Sequence, residues 1–377
     1  MISLCNLGTR RGYYTSLSSV TAIRECSANT HCHIHYNITD RSEDFITQRS
    51  EFEYVDVCYL DFAKCFDKLD FNLILQRLEH LGIRGRVQQW IETFLKGRKQ
   101  RVKVNGELGS ETEVLSGVPQ GTILGPLLFI LFISPMPSIP EHSHISSYAD
   151  DTKLVKGRNN QDVSKLQQDL EQIYQWVNQN NMALNGDKFR VITYGASSDM
   201  DIITLSDPNA QSIDCVSSIR DLGVTLQSDG KITQQLHEKV TKGAQMCGWI
   251  FRTFKTREKS AMLTLYKSLV LPHLEYCSVI WAPSTVADLQ KLERVQRLLT
   301  RNIKDLRSYS YWERLRILQL YSLERRNERY QIIYIFKCLH DLVPNPGVSF
   351  QYSDRQGYHM IWIIFSHMYL TNPQYLV

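Results

Sequence analysis

Tyr148-Ala149-Asp150-Asp151 sets two carboxylates side by side between apolar flanks, Ile145 before them and Leu154-Val155 after. The pattern predicts a strand, a tight turn carrying both acids, and a return strand. Two anions about 4 Å apart at a surface-like dielectric repel by roughly 4 kcal/mol. A divalent cation removes that cost, and hard carboxylate oxygens suit Mg²⁺ or Mn²⁺. An Asp-Asp turn is also common solvated decoration, so its meaning depends on what precedes it.

Upstream, Val55, Val57 and Tyr59 alternate with Asp56, Cys58 and Leu60, as in a strand with two different faces. Asp61 falls at the end of that strand, where a third carboxylate can meet the Asp150-Asp151 turn. Between them lies Ser116-Gly117-Val118-Pro119-Gln120-Gly121-Thr122, followed by the apolar run from Ile123 to Phe132. This is a Gly/Pro loop leading into a helix, with Pro126 suited to the first turn. The two glycines let backbone come close to a ligand.

In that order, these segments resemble the palm of reverse transcriptases, specifically those of non-long-terminal-repeat (LINE-type, jockey-like) retrotransposons. Asp61 to Asp67 resembles the family's first palm motif, and Ser116 to Pro126 its Ser-Gly-Val-Pro-Gln-Gly motif. Tyr148 to Asp151 resembles its Tyr-Ala-Asp-Asp turn. Asn181 to Lys188 is similar to the next motif, Asp221 to Val224 to the primer-grip turn, and Leu265 to Cys277 to the thumb that follows. The resemblance covers roughly Glu53 to Pro346.

The resemblance implies RNA-directed DNA polymerisation: a primer 3′-hydroxyl attacks the α-phosphorus of a deoxynucleoside triphosphate, directed by an RNA template. Two Mg²⁺ (or Mn²⁺) ions about 3.5–4 Å apart serve the entering and leaving oxygens. Asp61 and Asp150 are implied as the principal metal ligands and Asp151 as a secondary one. Phe62 and Phe66 are implied in nucleotide binding, with Phe66 packing under the sugar to exclude a 2′-hydroxyl. Gln120 and Gly121, with Gly117, are implied contacts to template and nucleotide. Lys188 is a candidate proton donor to pyrophosphate, or a charge near it. Leu222, Gly223 and Val224 form the implied primer grip.

Each residue also has an ordinary reading. Asp61 can be a strand-end turn acid, Phe66 a core aromatic, the glycine loop a plain helix leader, and Lys188 a solvated lysine. Two other functional classes share these features: a non-catalytic nucleic-acid-binding remnant, and a metal-dependent phosphohydrolase. The glycine loop and thumb-like segment argue against the hydrolase. The chain also departs from the family pattern. Asp70 stands where the family usually has His, and the family's basic fingers motifs are not recognisable in residues 1–53. The expectation is an N-terminally truncated chain, its fingers largely missing, that binds nucleic acid but polymerises weakly or not at all.

Composition sets the remaining bounds. The 377 residues, 43% hydrophobic, suffice for two cores or more, and the formal charge is only +4. Between Lys231 and Arg307, however, fourteen Lys/Arg face six Asp/Glu, which suggests contact with a phosphate backbone. Nine scattered cysteines, mostly within apolar runs, read as free thiols of a reducing compartment. Cys26 and Cys32, with His31, His33 and His35, fit no usual zinc spacing. No signal peptide is recognisable, and the apolar runs 127–133 and 361–365 are too short to span a bilayer. An intracellular protein, nuclear or cytoplasmic and not secreted, is expected; its protein partners stay open.

The elements that must position the acids follow from periodicity. A strand over 55–61, helices from 71 to 96, and a hairpin about Asn105-Gly106 are expected first. The Pro126 helix, the acidic hairpin at 145–155, a long helix over 161–180 and a strand near 189–194 follow. Val163, Leu166, Leu170, Ile173 and Val177 share one face of the long helix. The expected fold is α+β: an antiparallel palm sheet with helices on one face, then a mainly helical thumb. The expected domains are a degenerate segment 1–53, a palm 54–228, a thumb-like region 229–346 and an unrelated tail 347–377.

Overall fold

The computed structural model describes residues 52–160, 162–195, 203–207, 211–283, 285–340 and 342–343, with the backbone of 349–352 and 361–364. The expectations for the fingers and for the Cys26/Cys32 cluster lie outside the described residues, as does most of the tail. The chain divides after Val216 into two compact units.

The first unit is built on a sheet in the order β6-β7-β1-β8-β9. Its strands are β1 (Tyr54–Leu60), β6 (His144–Tyr148), β7 (Asp151–Arg158), β8 (Arg190–Tyr194) and β9 (Asp214–Cys215). β1 is central, antiparallel to β7 from Tyr54↔Arg158 to Leu60↔Thr152, and antiparallel to β8 on its other side. Both faces of β1 are covered: Val55 and Val57 are as buried as Cys58 and Leu60. The alternation in β1 therefore separates two environments, not core from solvent.

One face carries Cys58, Leu60, Leu154 and Val191 into a core shared with four helices. These are α1 (Phe71–His80), α2 (Arg86–Leu95), α3 (Leu124–Ile133) and α4 (Ser164–Gln179). In α4, Leu166, Leu170, Ile173 and Val177 point inward, as their spacing predicts. The expected Val163 lies just before the first turn. On the same sheet face, at the end far from Asp61, Arg158 donates to Asp56 at 2.6 Å and Thr193 to the same carboxylate at 2.8 Å. Arg158 also lies over the Tyr54 ring, 4.5 Å from its centroid.

Two expectations are corrected. The Asn105-Gly106 hairpin forms, both residues having positive φ, but as two short ladders. These pair β3 (Lys103–Val104) with β4 (Glu107–Leu108), and β2 (Lys99–Gln100) with β5 (Thr112–Glu113). All eight residues are solvent-exposed, so no buried face holds a longer ladder in one register. The sheet is also not wholly antiparallel, since β9 adds to β8 in parallel through Arg190↔Asp214 and Val191↔Cys215.

The second unit opens with a hairpin of β10 (Ser218–Asp221) and β11 (Val224–Gln227), and continues through helices. The helices are α5 (Thr233–Thr253), α6 (Lys259–Leu265), α7 (Leu271–Glu275), α8 (Ser278–Trp281), α9 (Val286–Arg301), α10 (Tyr311–Leu318) and α11 (Leu323–Leu339). A π-turn over Tyr266–Val270 joins α6 to α7. Val270, Leu274 and Trp281 enter this core, and Ile280 packs at its margin. Tyr266 is fully buried and donates to Gln296 Oε1 at 2.5 Å. Gln296 in turn donates to the Tyr311 hydroxyl at 2.9 Å, and Tyr311 donates to buried Glu293. Glu293 then accepts the Leu323 N–H at 2.5 Å, closing the first turn of α11.

Candidate active site

The register of β1 against β7 decides where the acids stand. The ladder ends at Leu60↔Thr152, so Asp61 follows the last paired residue of β1 and Asp151 precedes the last paired residue of β7. Tyr148 pairs with Asp151 across a two-residue turn, in which Ala149 has φ 55°. Asp150 and Asp151 are exposed at this sheet end and Asp61 is half-buried. All three belong to the first unit, although about 90 residues of chain separate them.

Two neighbours engage these carboxylates. Lys188 Nζ lies 3.1 Å from Asp61 Oδ2, the lysine side chain exposed and the aspartate half-buried. Such an ion pair is worth about 0–1 kcal/mol. Lys188 stands in a 3₁₀ turn just before β8, and Asn185 N donates to Asp61 O at 2.8 Å, so this turn is fastened to the β1 end. Cys65 is buried and touches Asp150. Burial first, and then that carboxylate, push its thiol up to about 12.

Among the described residues, no group of three or more His, Cys, Asp or Glu side chains is gathered as a metal ion's ligands. The donor chemistry nevertheless suits a hard divalent cation: Asp61 follows the end of β1, and Asp150 and Asp151 stand at the β6–β7 turn. Lys188 pairs with Oδ2 alone, and a carboxylate has about four acceptor sites, so the pair does not bar an ion.

The glycine loop is fastened to the segment that follows Asp61. Gly117 N donates to Leu69 O at 2.8 Å and Val118 N to Phe66 O at 2.8 Å. Ser116 Oγ donates to Asp67 O at 2.9 Å, and Gln120 Nε2 to Asp67 Oδ1 at 2.9 Å. On the loop's other side, Arg98 donates to Gly117 O at 2.5 Å. Gly117 has φ 82°, and a Cβ there would stand 2.6 Å from Asp67 O and 2.7 Å from Asp67 Cα. Glycine is needed at 117 for close backbone packing. Gly121 has φ 78° with open space about it, so its position is free for another molecule.

The two phenylalanines part company. Phe66 is half-buried, its ring 5.0 Å from that of Phe129 in α3. Phe62 is buried edge-on against Phe129, and its backbone bridges to Leu184. Its ring is core, and only its backbone could meet a nucleotide. Asp70 caps α1, accepting the Asn72 and Leu73 N–H groups at 2.8 and 3.0 Å, which explains a carboxylate at that position.

Leu222, Gly223 and Val224 lie in the second unit. Leu222 (φ 45°) and Gly223 (φ 83°) form the two central residues of the β10–β11 turn, as a type I′ hairpin requires. The Tyr276 hydroxyl donates to Leu222 O at 2.7 Å and Lys239 Nζ to Gly223 O at 3.2 Å. Desolvation first, then Arg220, lowers the pKa of Lys239. The hairpin therefore packs on α5 and α7, although its sequence reads as the end of the palm.

Sequence reasoning missed Asp67, Cys65, Ser116 and Arg98 as neighbours of the site. Asp67 and Cys65 stood inside a quoted motif without a role, and nothing local marks Arg98 as a partner of Gly117.

The sequence model of the family described as "Reverse transcriptase (RNA-dependent DNA polymerase)" matches residues 20–226. The chain is 24% identical over 282 residues to a probable RNA-directed DNA polymerase from transposon X-element of Drosophila melanogaster, covering 69% of this chain and 29% of the relative. It is 27% identical over 270 residues to the RNA-directed DNA polymerase from mobile element jockey of the same species, covering 67% and 28%. The chain thus spans less than a third of the length of these two relatives. Telomerase from Candida tropicalis, solved in complex with a fragment of telomeric RNA, is similar at 12% identity and a TM-score of 0.43, covering 77% of this chain and 45% of that one. No structural detail transfers at that score. Among the described residues, no helix is long and apolar enough to cross a membrane.

Proposed function

The chain belongs to the reverse transcriptase (RNA-dependent DNA polymerase) family, in its LINE-type, jockey-like branch, and from that premise we propose that its first unit carries out metal-dependent nucleotidyl transfer on an RNA template. The observation that supports the proposal is the β1–β7 pairing, whose last pair, Leu60↔Thr152, lies one residue before Asp61 and one after Asp151. Asp61, Asp150 and Asp151 would hold two Mg²⁺ or Mn²⁺ ions, which supply charge stabilisation at the attacking and leaving oxygens. Lys188, beside Asp61, supplies a positive charge or a proton to the leaving pyrophosphate once it leaves the carboxylate. Half-buried Phe66 serves as the sugar gate, while Gln120 and Gly121 stand exposed on the docked loop. Within the second unit, the Leu222–Val224 turn is the primer grip, and the basic stretch 231–307 contacts phosphates. In this reading the palm is 54–228 and the thumb 229–346, the last strands of the palm, β10 and β11, belonging to the second unit.

Primer extension by the purified chain on an RNA template with Mg²⁺ tests it. Weak extension that disappears in Asp150→Asn is the expected result. No extension by the parent chain, or extension that survives the substitution, refutes the assignment. A second reading is a nucleic-acid-binding remnant without turnover, in which the fourteen Lys/Arg against six Asp/Glu between 231 and 307 hold phosphates. That reading predicts primer–template binding without extension, weakening with salt at a slope of about −0.9 per phosphate neutralised.

A further inference from the structure

Three of the four hydrogen bonds that join the Ser116–Gln120 loop to Phe66–Leu69 involve main-chain carbonyls and hold the loop in place. The fourth joins two exposed side chains 53 residues apart: Gln120 Nε2 donates to Asp67 Oδ1 at 2.9 Å. An ionised carboxylate only accepts, so Gln120 must turn its NH₂ toward Asp67, and its carbonyl oxygen points to the other side. A glutamine free in solvent presents either edge of its amide; this one is held in a single polarity.

Asp67 is itself fixed. Its N–H donates to Lys64 O at 3.0 Å, its carbonyl accepts Ser116, and Gly117 packs against its backbone with no room for a Cβ. Its backbone cannot drift from the loop without undocking it, so the carboxylate starts from a fixed point beside Gln120. Resting on the polymerase reading, we propose that Asp67 is a positioning residue that orients the Gln120 amide so that its oxygen accepts a hydrogen bond from a donor on the incoming nucleotide. The donor is a sugar hydroxyl or a base N–H. Asp67 touches no reactant and acts through Gln120 alone.

A double-mutant cycle on the full chain tests this. The chain is loaded with an RNA template and a dideoxy-terminated DNA primer, and binding of the next complementary nucleotide is measured with Mg²⁺. Asp67→Ala should weaken nucleotide binding about fivefold, the usual scale for one such hydrogen bond. Gln120→Ala should cost at least as much, and the double variant no more than Gln120→Ala. With a 2′,3′-dideoxynucleotide, loss of the Asp67 effect identifies the sugar hydroxyl as the donor, and its persistence identifies the base; both outcomes support the proposal. If Asp67→Ala undocks the loop and lowers thermal stability, Asp67→Asn carries the same cycle, since it keeps the size but lets the amide pair in either polarity. Additive losses, or no loss from Asp67→Asn in a chain that binds nucleotide normally, overturn this inference alone. A parent chain that forms no nucleotide-dependent complex overturns the polymerase reading, and this inference with it.

Discussion

Gly117→Ala separates two costs that are usually confounded. Gly117 and Gly121 have nearly the same backbone angle, φ 82° and φ 78°. Alanine in that left-handed region costs roughly 1–2 kcal/mol at either site. Their surroundings differ: nothing lies within 4 Å of a Cβ built on Gly121, whereas one on Gly117 meets three Asp67 backbone atoms at 2.6–2.8 Å. Backbone cannot rotate away as a side chain would, so the loop must separate from Phe66–Leu69. It then loses the bonds from Ser116, Gly117 and Val118, each worth about 0.5–1.5 kcal/mol. Gly117→Ala should therefore destabilise by about 2–4 kcal/mol more than Gly121→Ala. Urea denaturation of both variants measures the difference, provided their m-values agree, and amide exchange at Gly117 and Val118 reports local undocking. Equal destabilisation by the two substitutions would refute the docking as the reason for glycine at 117.

Phe66→Val should raise ribonucleotide incorporation relative to deoxyribonucleotide in single-nucleotide extension; unchanged discrimination would return Phe66 to packing against Phe129. Arg158→Met should cost about 3–5 kcal/mol in urea denaturation by leaving Asp56 charged and buried, while Asp56→Val with Arg158→Met should recover most of it. Burial pushes the thiols of Cys58 and Cys247 from the ordinary 9.0 up to about 12, so their contribution to stability is complete below pH 9 and is lost as pH rises toward 12. The denaturation midpoint should fall over that window, by up to roughly 1.4 kcal/mol per pH unit for each thiol, and less steeply in Cys58→Ala.

The parts of this fold legible in the sequence were those with local signatures. Two-residue periodicity marked β1, helical spacing marked the inward face of α4, Asn105-Gly106 marked a turn, and the Asp-Asp pair marked the β6–β7 hairpin. What was not legible depends on partners far apart in sequence. Gln120 and Asp67 are 53 residues apart, and Lys188 and Asp61 are 127 apart. Neither pair leaves a periodic trace. The split hairpin at 99–113 was hidden for another reason: its residues face solvent, so their types do not report register. Phe62 and Phe66 read alike as motif aromatics, and only packing on Phe129 separates a buried ring from a half-buried one.

The buried pair of Asp56 and Arg158 bears on folding fidelity as well as on stability. A hairpin whose strands can slide has several near-equivalent alignments, and slippage by one residue turns every side chain to the opposite face. Here a slide of β7 along β1 would strip Asp56 of its guanidinium in a dry interior, a penalty that mispaired forms must bear and the native one avoids. Five residues beyond Asp56, about 17 Å away at strand spacing, the same slide would carry Asp150 and Asp151 past Asp61. The ion pair thus acts as an alignment key: chemistry placed at one end of two strands proofreads the placement of acids at the other. Chains lacking it should refold through more kinetic phases, because misaligned hairpins would no longer be rejected early.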